Sequence, residues 1–374
     1  METRTLQEIW DDGAARRNNF DAIRLGAASL VVFSHSFEIT GGIGAFEPLM
    51  ALTGGQASFG RVAVLVFFVL SGFLIAKSWR ADPRLQAFAA KRALRIFPAL
   101  FVVVLIGVFL VGPLLSASGA RAYFASAETW SYLANLGFYS KHASLPGVFA
   151  DAPIAGVVNG PLWTLKFEVA CYAAVAGLGA FGRLDRRSCL AALLFAYSVH
   201  YFGGDSVHGG VAYYIFGAAD LGRAFFTGAV IALYADELPL DWRLGASAAL
   251  GLVAAGAIGG FDALFPLLGG YLVFCIAFAD CGAAARIGRY GDFSYGVYVW
   301  GFPVQQVALT AGATLWYANF FVALPVTLLI AAASWRWIEA PALRLKPKRV
   351  PREVEDAHRR SVDIDRGATP APAR

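Results

Sequence analysis

Ten apolar runs, several of them marginal in length, follow one another along this chain with basic residues at their borders, and few folds accommodate such a pattern. They occupy about 20–38, 60–78, 96–115, 161–182, 188–202, 217–234, 243–260, 263–280, 291–312 and 316–338. A bilayer interior offers backbone amides no water, so runs of this kind close their hydrogen bonds internally as helices. At 58% hydrophobic and only 15% charged residues, the chain has too little polar material to coat a soluble body of 374 residues. The expected fold is all-α: a membrane protein with about ten transmembrane helices. No polar block is long enough to form a separate soluble domain. The chain divides into an N-terminal segment (1–18), a membrane domain (19–341) and a charged, proline-bearing tail (342–374) expected to be disordered beyond about residue 350.

Charge distribution sets the orientation. Connections on the N-terminal side of the membrane collect most of the 31 Lys and Arg, whereas the alternate connections carry only Arg121 and Lys141. Cytoplasmic loops gather such residues, so both termini are expected in the cytoplasm. The net charge of +5 is spent on these borders, which argues against a nucleic-acid partner. Segment 1–18 mixes Arg4, Arg16 and Arg17 with acidic residues and lacks the apolar core of a signal peptide. Cys171, Cys189, Cys275 and Cys281 show neither metal-like nor disulfide-like spacing, and no metal is expected. The long outer connection, 116–160, is rich in Gly, Ala, Ser and aromatics and has the length of a functional loop that covers an external site. Residues 132–139 within it suggest a short interfacial helix.

The informative residues are those that a purely structural bundle would omit. In the first run Arg24 and His35 are eleven steps apart; a helix turns roughly 1100° over that interval, leaving them about 20° apart on one face and roughly 16 Å apart in height. Either alone has a bland reading, Arg24 as a snorkelling cation and His35 as a satisfied core histidine. Glu38, three residues on, is placed to orient the imidazole or raise its basicity. Ser71-Gly72 cuts a small notch into a bulky second run, through which a backbone or a thin ligand can come close. Arg92 and Arg95 share a helical face at the membrane boundary, where two guanidinium forks suit either the positive-inside bias or the phosphates of an anionic donor. Glu168 lies within an apolar run and needs a partner; Arg61 and a polar substrate are the candidates. Asp220 and Arg223, three apart, are expected to pair.

These elements, taken in order, resemble the bacterial acyltransferase-3 family of integral membrane O-acyltransferases. The resemblance rests on Arg24-x10-His35, on the run Phe67-Phe68-Val69-Leu70-Ser71-Gly72-Phe73-Leu74-Ile75, and on Arg92-x-x-Arg95 with Pro98. It extends to Trp163-Thr164-Leu165 with Glu168, to Ser294-Tyr295 with Tyr298, and to Glu339 with Pro341. Many members carry a histidine before the Phe-Pro of the ninth run, where this chain has Gly301. The resemblance implies transfer of an acyl group, most commonly acetyl from acetyl-CoA, to a hydroxyl of a saccharide or glycolipid acceptor at or across the bacterial inner membrane. On that reading His35 and Glu168 are catalytic candidates, with Arg24, Ser71, Arg92 and Arg95 on the acyl-CoA; Glu38 has no assigned place in the family pattern and joins the catalytic candidates by its position beside His35. The rival reading is a proton-coupled transporter or flippase in which His35, Glu38 and Glu168 form a proton relay.

Overall fold

A computed structural model describes residues 4–14, 18–138, 143–203, 210–280, 282 and 284–348. Arg16, Arg17, Lys141, Cys281 and all of the tail from residue 349 onward therefore lie outside the described residues. The chain is all-helical, with isolated bridges but no strands among the described residues. Its principal helices are α1 (Phe20–Gly41), α2 (Phe59–Ala81), α3 (Leu85–Leu115), α4 (Leu165–Ala180), α5 (Arg186–Phe202), α6 (Gly210–Leu233), α7 (Trp242–Ile258), α8 (Phe261–Phe278), α9 (Ser294–Thr310) and α10 (Trp316–Leu343). Six of these, α1, α2, α3, α6, α8 and α10, are long and apolar enough to cross a membrane. This is a multi-pass membrane protein.

Local chemistry starts several of these helices. Ser58 Oγ accepts from the Arg61 amide at the head of α2, Asp185 from the Ser188 amide before α5, and Asp241 from the Arg243 amide before α7. Each cap satisfies an amide that the first turn leaves open. Pro98, Pro303 and Pro325 lie inside α3, α9 and α10. Packed membrane helices tolerate them because neighbouring groups re-satisfy the freed carbonyls.

Packing centres on α2 and α6. A Cβ on Gly72 would stand 1.8 Å from the Phe225 carbonyl oxygen, and one on Gly228 would stand 1.9 Å from that of Val69. The two backbones thus cross at a point where only glycine fits, on both helices. Of the two visitors that the Ser71-Gly72 notch could admit, Gly72 takes a backbone. Another close crossing brings α9 onto α1: a Cβ on Gly301 would meet Val32 Cγ2 at 2.7 Å. Polar side chains tie the same helices together. Gln305 Nε2 donates to the Val32 carbonyl at 2.8 Å, and Asn319 Nδ2 of α10 donates to the Gln305 carbonyl at 2.9 Å. In an apolar surrounding such amides hold helices in a fixed register.

The described parts of the connection 116–160 are folded. It contains short helices at Gly119–Ala125 and Ala127–Ser131 and a 3-10 turn at Tyr132–Gly137, shorter than the stretch expected, of which Tyr139 lies outside the described residues. Its Ile154 packs with Ile39 of α1 and Phe302 of α9. The segment before α1 is docked too. Leu6 is fully buried, and its amide donates to the Leu238 carbonyl at 2.9 Å.

Candidate active site

A cavity of about 340 Å³ opens between α2, α3, α4, α9 and α10 near the Arg24 end of α1. Five cations face it: Arg24, Lys91, Arg92, Arg95 and Lys346. The cavity therefore gathers Arg24, Ser71, Arg92, Arg95 and Glu168 from segments far apart in sequence, while His35 and Glu38 are not among its lining residues.

One carboxylate organises two of the guanidiniums. Asp292, just ahead of α9, accepts on a single oxygen from Arg24 Nη1 at 2.8 Å and from Arg95 Nη2 at 2.7 Å. Its other oxygen takes the Ser294 hydroxyl at 2.5 Å. Arg95 also reaches Glu339 at 3.5 Å, whose second oxygen accepts from Ser334 at 2.9 Å. Charge-assisted bonds of this kind offset the desolvation of each group. Arg95 further lies over the ring of Tyr295, 5.5 Å from its centroid, while the Tyr295 hydroxyl donates to the Ile96 carbonyl at 2.8 Å.

Arg92 is arranged differently. Its guanidinium stands 5.8 Å from the Phe88 ring and 5.9 Å from the Tyr172 ring, and its buried Nε has no hydrogen-bond partner among the described residues. Two neighbouring guanidiniums of one sequence motif are thus placed differently: Arg95 is tied into the scaffold by ion pairs, whereas Arg92 packs against rings beside Tyr172 and Glu168 and makes no ion pair among the described residues.

At the inner wall the Tyr172 hydroxyl donates to Glu168, and Ser71 Oγ lies 3.1 Å from that hydroxyl and 3.5 Å from the same carboxylate oxygen. Tyr172 and Ser71 are the partners of Glu168. Arg61, the candidate raised by the sequence, is ten residues away along α2 and engages Asp220 and Asp262 instead. There the expected Asp220–Arg223 pair is present at 2.8 Å. It belongs to a larger network in which Arg223 also binds Asp262 at 2.8 Å and His200 approaches Asp220 at 3.3 Å. That network joins α2, α5, α6 and α8. Of the three possible metal ligands in it, His200, Asp220 and Asp262, both carboxylates are already engaged by two arginines.

His35 packs edge-on against Phe302, ring centroids 5.2 Å apart, and its Nδ1 stands 3.4 Å from Glu38. The imidazole side chain is 23% exposed. Phe302 is four residues from Tyr298, which lines the cavity, so one face of α9 leads from the cavity wall to the imidazole. Tyr298 is itself fixed by the Thr164 hydroxyl at 2.6 Å and the Pro161 carbonyl at 2.9 Å. Sequence reasoning gave Tyr172 and Lys346 no role and placed Asp292 only within an aromatic stretch. Tyr172 carried a signal, since it follows Glu168 by four residues, the interval that stacks side chains on a helix.

The residues matched by the profile described as an acyltransferase domain run from 17 to 336, nearly the whole helical body. The chain belongs to the acyltransferase-3 family. Among curated relatives, this acyltransferase-3 protein is 30% identical over 341 residues to the O-acetyl transferase of Shigella phage Sf6, covering 89% of this chain and 98% of that one. It is 28% identical to Nodulation protein 10 of Rhizobium leguminosarum bv. viciae, covering 93% of this chain and 99% of the relative. It is also 28% identical to the exopolysaccharide production protein ExoZ of Rhizobium meliloti, covering 78% and 92%. No solved structure matches the sequence.

Proposed function

We propose that this acyltransferase-3 protein moves an acyl group, acetyl in the first instance, from cytosolic acyl-CoA to a hydroxyl of a saccharide or glycolipid acceptor at or across the bacterial inner membrane. The observation that carries the reading is the cavity in which Arg92, which makes no ion pair among the described residues, stands among four other cations and beside the Glu168–Tyr172–Ser71 cluster. The names of the phage O-acetyl transferase and of the exopolysaccharide protein support the acetyl group and the saccharide acceptor. In this reading the membrane domain contributes ten spans, α4, α5, α7 and α9 joining the six longer helices, with both termini and the cavity mouth on the cytoplasmic side. No metal takes part.

The division of labour follows from position. Arg92 holds a phosphate of the donor, while Arg24 and Arg95, pre-set by Asp292, supply the positive field around it. Ser71 lies along the route of the thioester. The acyl arm follows the Tyr298–Phe302 face of α9 toward His35, and the acceptor reaches the imidazole from the opposite side, beneath the loop bearing Ile154. Glu38 beside Nδ1 keeps the proton on that nitrogen, leaving Nε2 to take the proton of the acceptor hydroxyl. The new C–O bond forms as the C–S bond breaks, and the proton passes to the departing CoA thiolate. Glu168 orients the reacting groups from the cavity side.

The deciding experiment incubates purified protein with acetyl-labelled acetyl-CoA and acceptor glycans and reads the products by mass spectrometry. A labelled ester is expected. Turnover of substrate across vesicles without any ester would instead favour a proton-coupled transporter or flippase.

A further inference from the structure

Three of the five cavity cations are already matched with acids. Asp292 holds Arg24 and Arg95, and Asp82, between α2 and α3, holds Lys91 Nζ at 2.7 Å. Arg92 and Lys346 make no ion pair among the described residues, although both line the same cavity. Lys346 is on the short strap 344–348 that leaves α10, and its side chain lines the cavity. The strap is clasped in place. Arg84 donates to the Lys348 carbonyl at 3.0 Å, and Asp82 orients Arg84 through bonds of 2.7 and 3.0 Å. Asp82 thus holds both Lys91 and, through Arg84, the strap. Two cations that make no ion pair there, one at the rim and one inside, leave a place for two negative charges whose binding breaks no existing pair.

We propose that Lys346, together with Arg92, binds the terminal phosphomonoester of the acyl donor, and that the Asp82–Arg84–Lys348 clasp holds the strap in the position that makes this possible. The inference rests on the acyl-CoA reading above and extends it to a residue outside the motifs that carry the family resemblance. A phosphomonoester is the dianionic end of CoA, and it is the part that remains outermost when the thioester is inserted first. The same chemistry could be met by the phosphate of a lipid headgroup, since the rim stands at the membrane boundary.

The test measures equilibrium binding of CoA and of dephospho-CoA, which lacks that phosphate, to the detergent-purified full chain as wild type, Lys346→Ala and Lys346→Arg. Wild type is expected to prefer CoA. Lys346→Ala should weaken CoA by about tenfold, the scale of one charged hydrogen bond, and leave dephospho-CoA unchanged. Lys346→Arg should restore the preference. If wild type binds CoA and Lys346→Ala binds it equally well, this assignment is overturned while the acyl-CoA reading stands. If wild type binds no CoA, both fall. A third arm measures binding of phosphatidylglycerol and of phosphatidylcholine to the detergent-purified wild type and Lys346→Ala. A Lys346-dependent preference there, without one for CoA, assigns the site to lipid and overturns the donor role.

Discussion

The same motif, Arg92-x-x-Arg95, supplies one guanidinium locked by Asp292 and Glu339 and another that makes no ion pair among the described residues, so replacing the two should produce different losses. Asp292→Asn leaves Arg24 and Arg95 short of a counter-charge, and breaking a shared, half-buried pair costs on the order of 1 kcal/mol or more. A clear fall in the thermal midpoint of the purified protein is the expected readout. Arg92→Ala should keep that midpoint close to wild type and weaken donor binding. His35→Ala should reduce acetylation at least about 10²-fold, the lower scale of a lost general base, at unchanged membrane abundance; wild-type product levels in this variant would remove His35 from the chemistry. Lys346 provides a pH test. Desolvation at the mouth, then Arg92, Arg95 and Lys91, lower its ammonium below the ordinary lysine range, with only Asp292 acting the other way. Its charge is present at low pH and is lost as pH rises through that lowered value. CoA affinity should therefore decline on the alkaline side earlier than an ordinary lysine would dictate, and Lys346→Arg should flatten the curve. Asp82 behaves oppositely: Arg84 and Lys91 hold it well below the usual carboxylate range, so the clasp persists above the unfolded carboxylate value and opens only in strong acid.

Among the helices, the sequence pattern is informative where periodicity and length speak and silent where two backbones meet. The ten apolar runs coincide with α1–α10 to within several residues at most ends, because bilayer-length hydrophobicity leaves the chain little alternative to helix; the largest shift is in α3, which begins at Leu85, well ahead of its apolar stretch. Gly72 could be seen as a notch, yet Gly228 as its counterpart could not, since nothing in sequence says which helix crosses which. Gly301 carries a similar lesson. A Cβ there would already meet Val32 Cγ2 at 2.7 Å, so Gly301→His should collide with α1 and lower the yield of folded protein. Gly72→Val should be more severe, since the obstacle is the Phe225 carbonyl, part of a backbone that cannot rotate away. Size-exclusion profiles of both variants check this; a monodisperse Gly72→Val protein would contradict the crossing.

At the scale of the whole molecule, two charged assemblies occupy opposite reaches of α2: the Asp292-centred cation cluster near one end and the Arg61–Asp220–Arg223–Asp262–His200 network toward the other. The first was partly legible, because Arg24, Arg92 and Arg95 stood at motif spacings. Of the second only the local Asp220–Arg223 pair could be read, since Arg61, His200 and Asp262 arrive from three other helices. Asp262→Asn should therefore lower thermal stability while leaving CoA affinity intact, which would separate scaffold from donor site; a parallel loss of CoA affinity would couple the two. Because α2 is pressed without slack onto α6 at Gly72 and Gly228, the wall bearing Ser71 has no room to retreat. Any redesign of this enzyme for bulkier acyl groups has to win its space from the opposite side, by trimming Trp335 or Leu343, and variants that whittle α2 instead should lose the fold before they gain a substrate.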